Sequence, residues 1–124
     1  MPRPKSRSEH EARLPLKPVE TLLLTMLTGG DRHGYGLRQD VLAHTGGRIA
    51  LEVGSLYRLL GRLEEEGLLA PVPPSEASRP GDDERRIYYR LTPLGRRVIA
   101  AEMKRLRSLV RLAESRRIIV PERP

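Results

Sequence analysis

Hydrophobic residues return at helical spacing in four stretches of the chain and alternate in a fifth, and this pattern sets the expected architecture. The first helix begins at Pro18, because proline suits the first helical position and Glu20 suits the positive end of the helix dipole. Leu22, Leu23, Met26 and Leu27 form its apolar stripe, and Gly29-Gly30 stops it. A second helix starts near His33-Gly34-Tyr35-Gly36, carries Leu37, Val41 and Leu42 inward and ends at Thr45-Gly46-Gly47. Arg48 to Leu51 reads as a short strand.

The third helix, Val53 to Glu66, is closed by Gly67 and has the sharpest division between its faces. Leu56, Leu59, Leu60 and Leu63 share one side, whereas Gly54, Arg58, Arg62 and Glu65 look away, with Ser55 and Tyr57 flanking that outer face. Small, hydroxyl and arginine side chains are therefore offered outward near its amino end. Glu64, Glu65 and Glu66 crowd the other end, where they oppose the dipole and would repel phosphate.

Leu68 to Val72 then reads as an edge strand with Pro71 near its end. Residues 73–84, with three prolines and a glycine, form a polar loop. From Arg85 to Leu91 the chain alternates: Ile87, Tyr89 and Leu91 on one face, Arg86, Tyr88 and Arg90 on the other. The two runs predict a two-stranded β-wing with a long tip, Tyr89 packed and Tyr88 the more exposed. Thr92-Pro93 caps a last helix of about six turns. Its apolar positions, among them Leu94, Val98, Ala101, Leu106 and Leu109, spread over more than one face, which suits packing on the body and on a second copy of the chain. The expectation is thus a mainly α (α+β) fold: a winged helix-turn-helix over 17–92, a dimerisation helix over 93–117, a flexible basic arm over 1–16 and a tail over 118–124.

Composition narrows the function. The 124 residues suit one core, and they include no cysteine, which excludes disulfides and thiolate chemistry. His10, His33 and His44 are too scattered for a metal cage, no cofactor is expected, and neither an apolar membrane span nor a secretory leader is apparent, so the cytoplasm is the expected compartment. The net charge of +7 invites nucleic acid as a partner, yet its distribution is uneven. Residues 17–92 hold ten Lys+Arg against eleven Asp+Glu, while 93–124 hold nine against three. The DNA reading of the middle must therefore rest on local pattern.

The stretches LKPVETLLLTML, HGYGLRQDV, GSLYRLLGRLEEEGLL and DDERRIYYRLTPLGRR resemble the successive signatures of the PadR family of transcriptional regulators, over roughly residues 16 to 113. The single carboxyl-terminal helix is similar to the compact branch of that family. The resemblance implies a homodimeric repressor with reading helices in successive major grooves of an operator and wings near the flanking backbone. Two departures stand out. Val53 occupies a position where the family often has proline, and Asp82, Asp83 and Glu84 dilute the basic character of the wing.

Base edges in the major groove are read by short hydroxyls, by arginine and by close backbone approach. Gly54, Ser55, Tyr57, Arg58 and Arg62 supply those types: Arg58 as the base reader, Arg62 toward phosphate. On the wing, Arg79, Arg85, Arg86 and Arg90 are candidates for the backbone or the minor groove. His33 suits a helix cap, a packed residue or a phosphate contact. The basic last helix, with Arg96, Arg97, Lys104, Arg105, Arg107 and Arg111, fits either a solvated face opposite a dimer seam or a second phosphate surface.

Two functions compete on these features: a regulator of a pseudo-palindromic double-stranded operator, and a sequence-indifferent coating protein using the basic ends. An enzyme has little support, since no paired carboxylates, Ser-His-Asp set or phosphate loop occurs. A small-molecule effector is compatible with the resemblance, but no cluster specifies one.

Overall fold

A computed structural model describes residues 13–73 and 86–122. The elements run α1 (Pro18–Leu27), β1 (Arg32–His33), α2 (Gly34–His44), α3 (Val53–Glu65), β2 (Leu69–Pro71), β3 (Tyr88–Leu91) and α4 (Pro93–Ser115). Three of the four described helix starts have a local side-chain cause. The carboxylate of Glu20 accepts from the Lys17 N–H at 2.9 Å, the Nδ1 of His33 accepts from the Gly36 N–H at 2.9 Å, and the Thr92 hydroxyl accepts from the Gly95 N–H at 2.9 Å, with Pro93 in the first turn of α4. His33 is thus a cap. The stop at Gly67 is made by two backbone bonds, Leu68 N–H to Leu63 and Gly67 N–H to Glu64.

One core joins the four described helices. Leu23, Leu24 and Leu27 of α1 meet Leu37 and Val41 of α2, Leu56, Leu60 and Leu63 of α3, and Val98 and Ile99 of α4, with Leu68, Leu69, Tyr89 and Leu91 closing it from the sheet side. Full burial contributes roughly 1.5–3 kcal/mol for each such leucine. Leu59 packs at the margin of this cluster, so the inward stripe of α3 is as expected. On α1 the buried side is shifted by one position, to Leu23, Leu24 and Leu27, leaving Leu22 and Met26 half-buried.

The sheet differs from the expectation. Among the described residues it has three antiparallel strands in the order β1-β3-β2, with β3 central. The register pairs Leu69 with Leu91, Ala70 with Arg90 and Pro71 with Tyr89 on one side, and Arg32 with Tyr89 and His33 with Tyr88 on the other. Pro71 sits on an edge, where its missing N–H is tolerated. The extra strand is Arg32–His33, while Arg48–Leu51 is irregular: the Leu51 carbonyl is taken by the Arg38 side chain at 2.6 Å, with no strand alongside. The third strand also corrects the wing residues. Tyr88 is as buried as Tyr89, because the His33 ring stands edge-on against it at 5.2 Å between centroids, whereas Ile87, ahead of the paired segment, is 55% exposed.

The end of the expected arm is docked. Leu16 belongs to the core and Leu14 packs against it; residues 1–12 lie outside the described residues. Arg13 pairs with Glu20 at 2.7 Å and also with Glu66, while the Leu16 N–H donates to the buried Glu102 carboxylate at 3.2 Å. Arg105 completes that second node, its guanidinium 2.6 and 2.9 Å from the two carboxylate oxygens. Residues 13–17 therefore form a strap from the carboxyl end of α3 to α4.

The 23 residues of α4 span about 35 Å. Its first turns bury Gly95, Val98, Ile99 and Glu102, and beyond Arg105 no described residue is buried. Val98, expected in the dimer seam, is enclosed by its own chain and has no surface left for a partner. Leu94 likewise packs against the chain's own core, whereas Ala101 and Leu106 are half-buried and Leu109 is 53% exposed.

Candidate nucleic-acid interface

The amino end of α3 is held outward by the leucines beneath it. Gly54, Ser55 and Arg58 are exposed, and the Arg58 guanidinium donates to the Ser55 hydroxyl at 3.2 Å, so the two polar candidates lie folded together over the first turn. Neither is enclosed. An arginine resting on a serine can unfold toward a base edge with little loss, since the bond it leaves is solvent-exposed.

Tyr57 links this end of α3 to α2. Although 46% exposed, its phenol lies over Gly34 so closely that a Cβ there would fall 2.7 Å from the hydroxyl oxygen. Glycine at the start of α2 is thus what seats the tyrosine. Beyond Gly34 lies the base of the wing: His33 and Tyr35 stack with centroids 6.3 Å apart, Arg86 stands 5.7 Å from the centre of the Tyr35 ring, and its guanidinium lies 3.1 Å from the His33 Nε2. The amino end of α3, the start of α2 and the root of the wing form one continuous surface. It combines arginine, hydroxyl and aromatic groups of the kinds that meet phosphate and base edges.

The remaining candidates are placed differently. Arg62, half-exposed, turns toward the carboxyl end of α3, 3.4 Å from Glu20 and 4.0 Å from Glu66, so a phosphate there would compete with two carboxylates. Arg90 makes a two-pronged pair with Asp31 at 3.0 and 2.9 Å. Arg79 and Arg85 lie outside the described residues. Arg58 and Arg86 therefore stand apart from the other described arginines of the set, each on the continuous surface and neither in an ion pair with a carboxylate among the described residues.

Sequence reasoning missed two things here. Tyr35, 54% exposed beside Arg86, was not a candidate, because only the folded sheet brings the start of α2 to the wing. Glu20 and Asp31, which hold Arg62 and Arg90, carry no signal in the pattern, their partners being 42 and 59 residues away. The carboxyl of Glu20 illustrates the electrostatics: burial alone would raise its pKa, but the Lys17 N–H, Arg13 and Arg62 outweigh it and hold the group below the usual carboxylate range. Among the described residues no helix is long and apolar enough to cross a membrane.

Comparison with known proteins finds relatives of this fold. The profile of the transcriptional regulator PadR-like family matches residues 23–101. An uncharacterised protein of Lysinibacillus sphaericus is 24% identical over 86 residues, covering 69% of this chain and 75% of its own length. Among solved structures, a transcriptional regulator from Clostridium thermocellum is 25% identical with a TM-score of 0.63, covering 78% of this chain and 87% of that one. A PadR-like transcriptional regulator from Bacillus cereus is also 25% identical with a TM-score of 0.63, covering 84% of this chain and 93% of that one.

Proposed function

The chain belongs to the PadR-like family of transcriptional regulators, DNA-binding proteins by class, and on that premise we propose that it is a repressor gripping a pseudo-palindromic operator as a homodimer. In this reading α3 enters the major groove by its amino end, with Arg58 and Ser55 on base edges and Gly54 allowing close approach. The wing, through Arg86, meets the backbone or the minor groove. Residues 17–92 make the DNA-binding unit and 93–117 the dimerisation helix, working in the cytoplasm.

The observation that carries this reading is the outward amino end of α3, set on a buried leucine stripe and continuous through Tyr57 with the wing root. Dimerisation is supported by the far half of α4, where Leu109, Val110 and Leu112 remain exposed on a single chain.

The test uses a duplex from upstream of the chain's own gene alongside a random duplex. Arg58→Ala should relax preference at one base position in each half-site at a cost of about 1–3 kcal/mol, whereas Arg86→Ala should weaken both duplexes alike and flatten the salt dependence. Equal loss on both duplexes for both variants would overturn this division of labour. A wild-type ratio near one between the two duplexes would overturn operator reading altogether.

A further inference from the structure

Most of the positive charge of this chain is not on the surface just described. Residues 17–92 are close to neutral, while the segment from Pro93 onward carries nine Lys+Arg against three Asp+Glu. The structure gives that charge a shape. At about 100° per residue, Arg96, Arg97, Lys104, Arg107 and Arg111 of α4 fall within one sector of about 100°, in a stripe about 22 Å long. All five are exposed, and none forms an ion pair among the described residues; Glu114 is the one acidic residue in the same sector. Arg105, the sixth cation of the helix, lies off the stripe and is taken by Glu102.

The opposite side of the helix does other work. Val98, Ile99 and Glu102 face the body there, and Leu106, Leu109 and Ala113 continue the same side beyond it, so the stripe is turned away from both the core and the face offered to a second copy. A solvated helix gains stability from cations paired with carboxylates three or four positions away, by roughly 0.2–0.5 kcal/mol per pair. On this stripe the cations stand next to one another instead, with like charge at Arg107 and Arg111 four residues apart, an arrangement that weakens an isolated helix. Unpaired cations regularly spaced along a rigid rod match a partner with regularly spaced negative charge.

We propose that the outer face of α4 is a second DNA-binding surface, one that holds duplex by its phosphates without reading sequence. It deepens the regulator reading by supplying the electrostatic attraction that the near-neutral 17–92 unit lacks. In this division α3 selects, and α4 contributes affinity for any duplex.

The experiment compares the full-length wild type with the triple variant Arg97→Gln, Lys104→Gln, Arg111→Gln on a random 40-base-pair duplex and on the upstream duplex, over a range of salt. Every phosphate that a cation no longer neutralises takes about 0.9 from the slope of log affinity against log salt, so the variant should lose about 3 per protomer and bind random duplex at least about tenfold more weakly at low salt. Its ratio of upstream to random affinity should stay unchanged, because α3 is untouched and both duplexes lose the same phosphate contacts. The companion variant Arg97→Lys, Arg111→Lys keeps the charge and should keep the slope, which separates charge from any change in folding. Unchanged slope and affinity in the triple variant overturn the proposal. So does an unchanged DNA affinity accompanied by lost binding to polyaspartate or to phosphatidylserine vesicles, which would assign the stripe to an acidic protein or a membrane. A wild type that does not prefer the upstream duplex sinks operator reading instead, and the random-duplex comparison still decides the role of α4.

Discussion

At Gly95 the first turn of α4 lies directly on the chain where it leaves α3: a Cβ there would overlap the Leu68 carbonyl oxygen and press on the Leu91 side chain. Backbone cannot move aside as a side-chain tip can. Gly95→Ala should therefore destabilise by about 3 kcal/mol or more, read as a lowered urea midpoint with an unchanged denaturant slope. Gly34 presents the milder case, because the obstacle is the tip of Tyr57. Gly34→Ala should leave the unfolding free energy within about 1 kcal/mol of wild type yet shift the near-ultraviolet signal of the displaced phenol. At this scale the sequence was informative where one residue acts on its neighbours. Thr92 as a cap and the outward placement of Ser55 and Arg58 were all legible, whereas the partners of Arg62 and Arg90 were not, since an ion pair across 42 or 59 residues leaves no local trace.

Among the elements, helices were read well and strands less so, for a physical reason. A leucine stripe repeated over three turns fixes both the existence of α3 and its buried side, and the observed bounds of Val53–Glu65 agree with the expected ones to one residue. A strand of two residues has no period to display, so Arg32–His33 could not be recognised; its absence from the expected sheet is what misassigned Tyr88, whose exposed-seeming face is covered by His33. The strap is an element of the same cryptic kind. Charged and proline-bearing, it reads as loose chain, yet Arg13 and the Leu16 N–H tie it to carboxylates on three helices.

Those carboxylates make stability depend on acid. Glu102 is held below the usual range mainly by its bonds from Arg105, against the opposing effect of burial, and Glu20 is likewise depressed. A group with a lowered folded pKa contributes its full stability above the unfolded value and loses it as pH falls through the folded one. Melting temperature should accordingly stay level from pH 7 to about 5 and drop below the ordinary glutamate value of about 4.3. Glu20→Gln should flatten part of that drop, and Arg13→Ala should cost about 1–3 kcal/mol at pH 7 by leaving Glu20 with fewer donors.

For the whole molecule, the far half of α4 projects beyond the core with Leu109 and Val110 exposed, and dimerisation would cover them. If the proposed dimer closes through this face, Leu109→Glu should halve the mass seen by light scattering while leaving the far-ultraviolet spectrum of a folded chain; a mass equal to that of the wild type would remove this residue from the proposed seam. On the proposed function, loss of the dimer should also reduce operator affinity much more than affinity for a single half-site, because the second reading helix then no longer binds from a tethered position.

The strap has a practical corollary. Arg13 is pinned beside Glu66, about 16 Å along α3 from Ser55. A fluorophore or affinity handle attached close to Arg13 therefore sits at the blunt, glutamate-rich end of that rod and should leave the operator-reading end unobstructed.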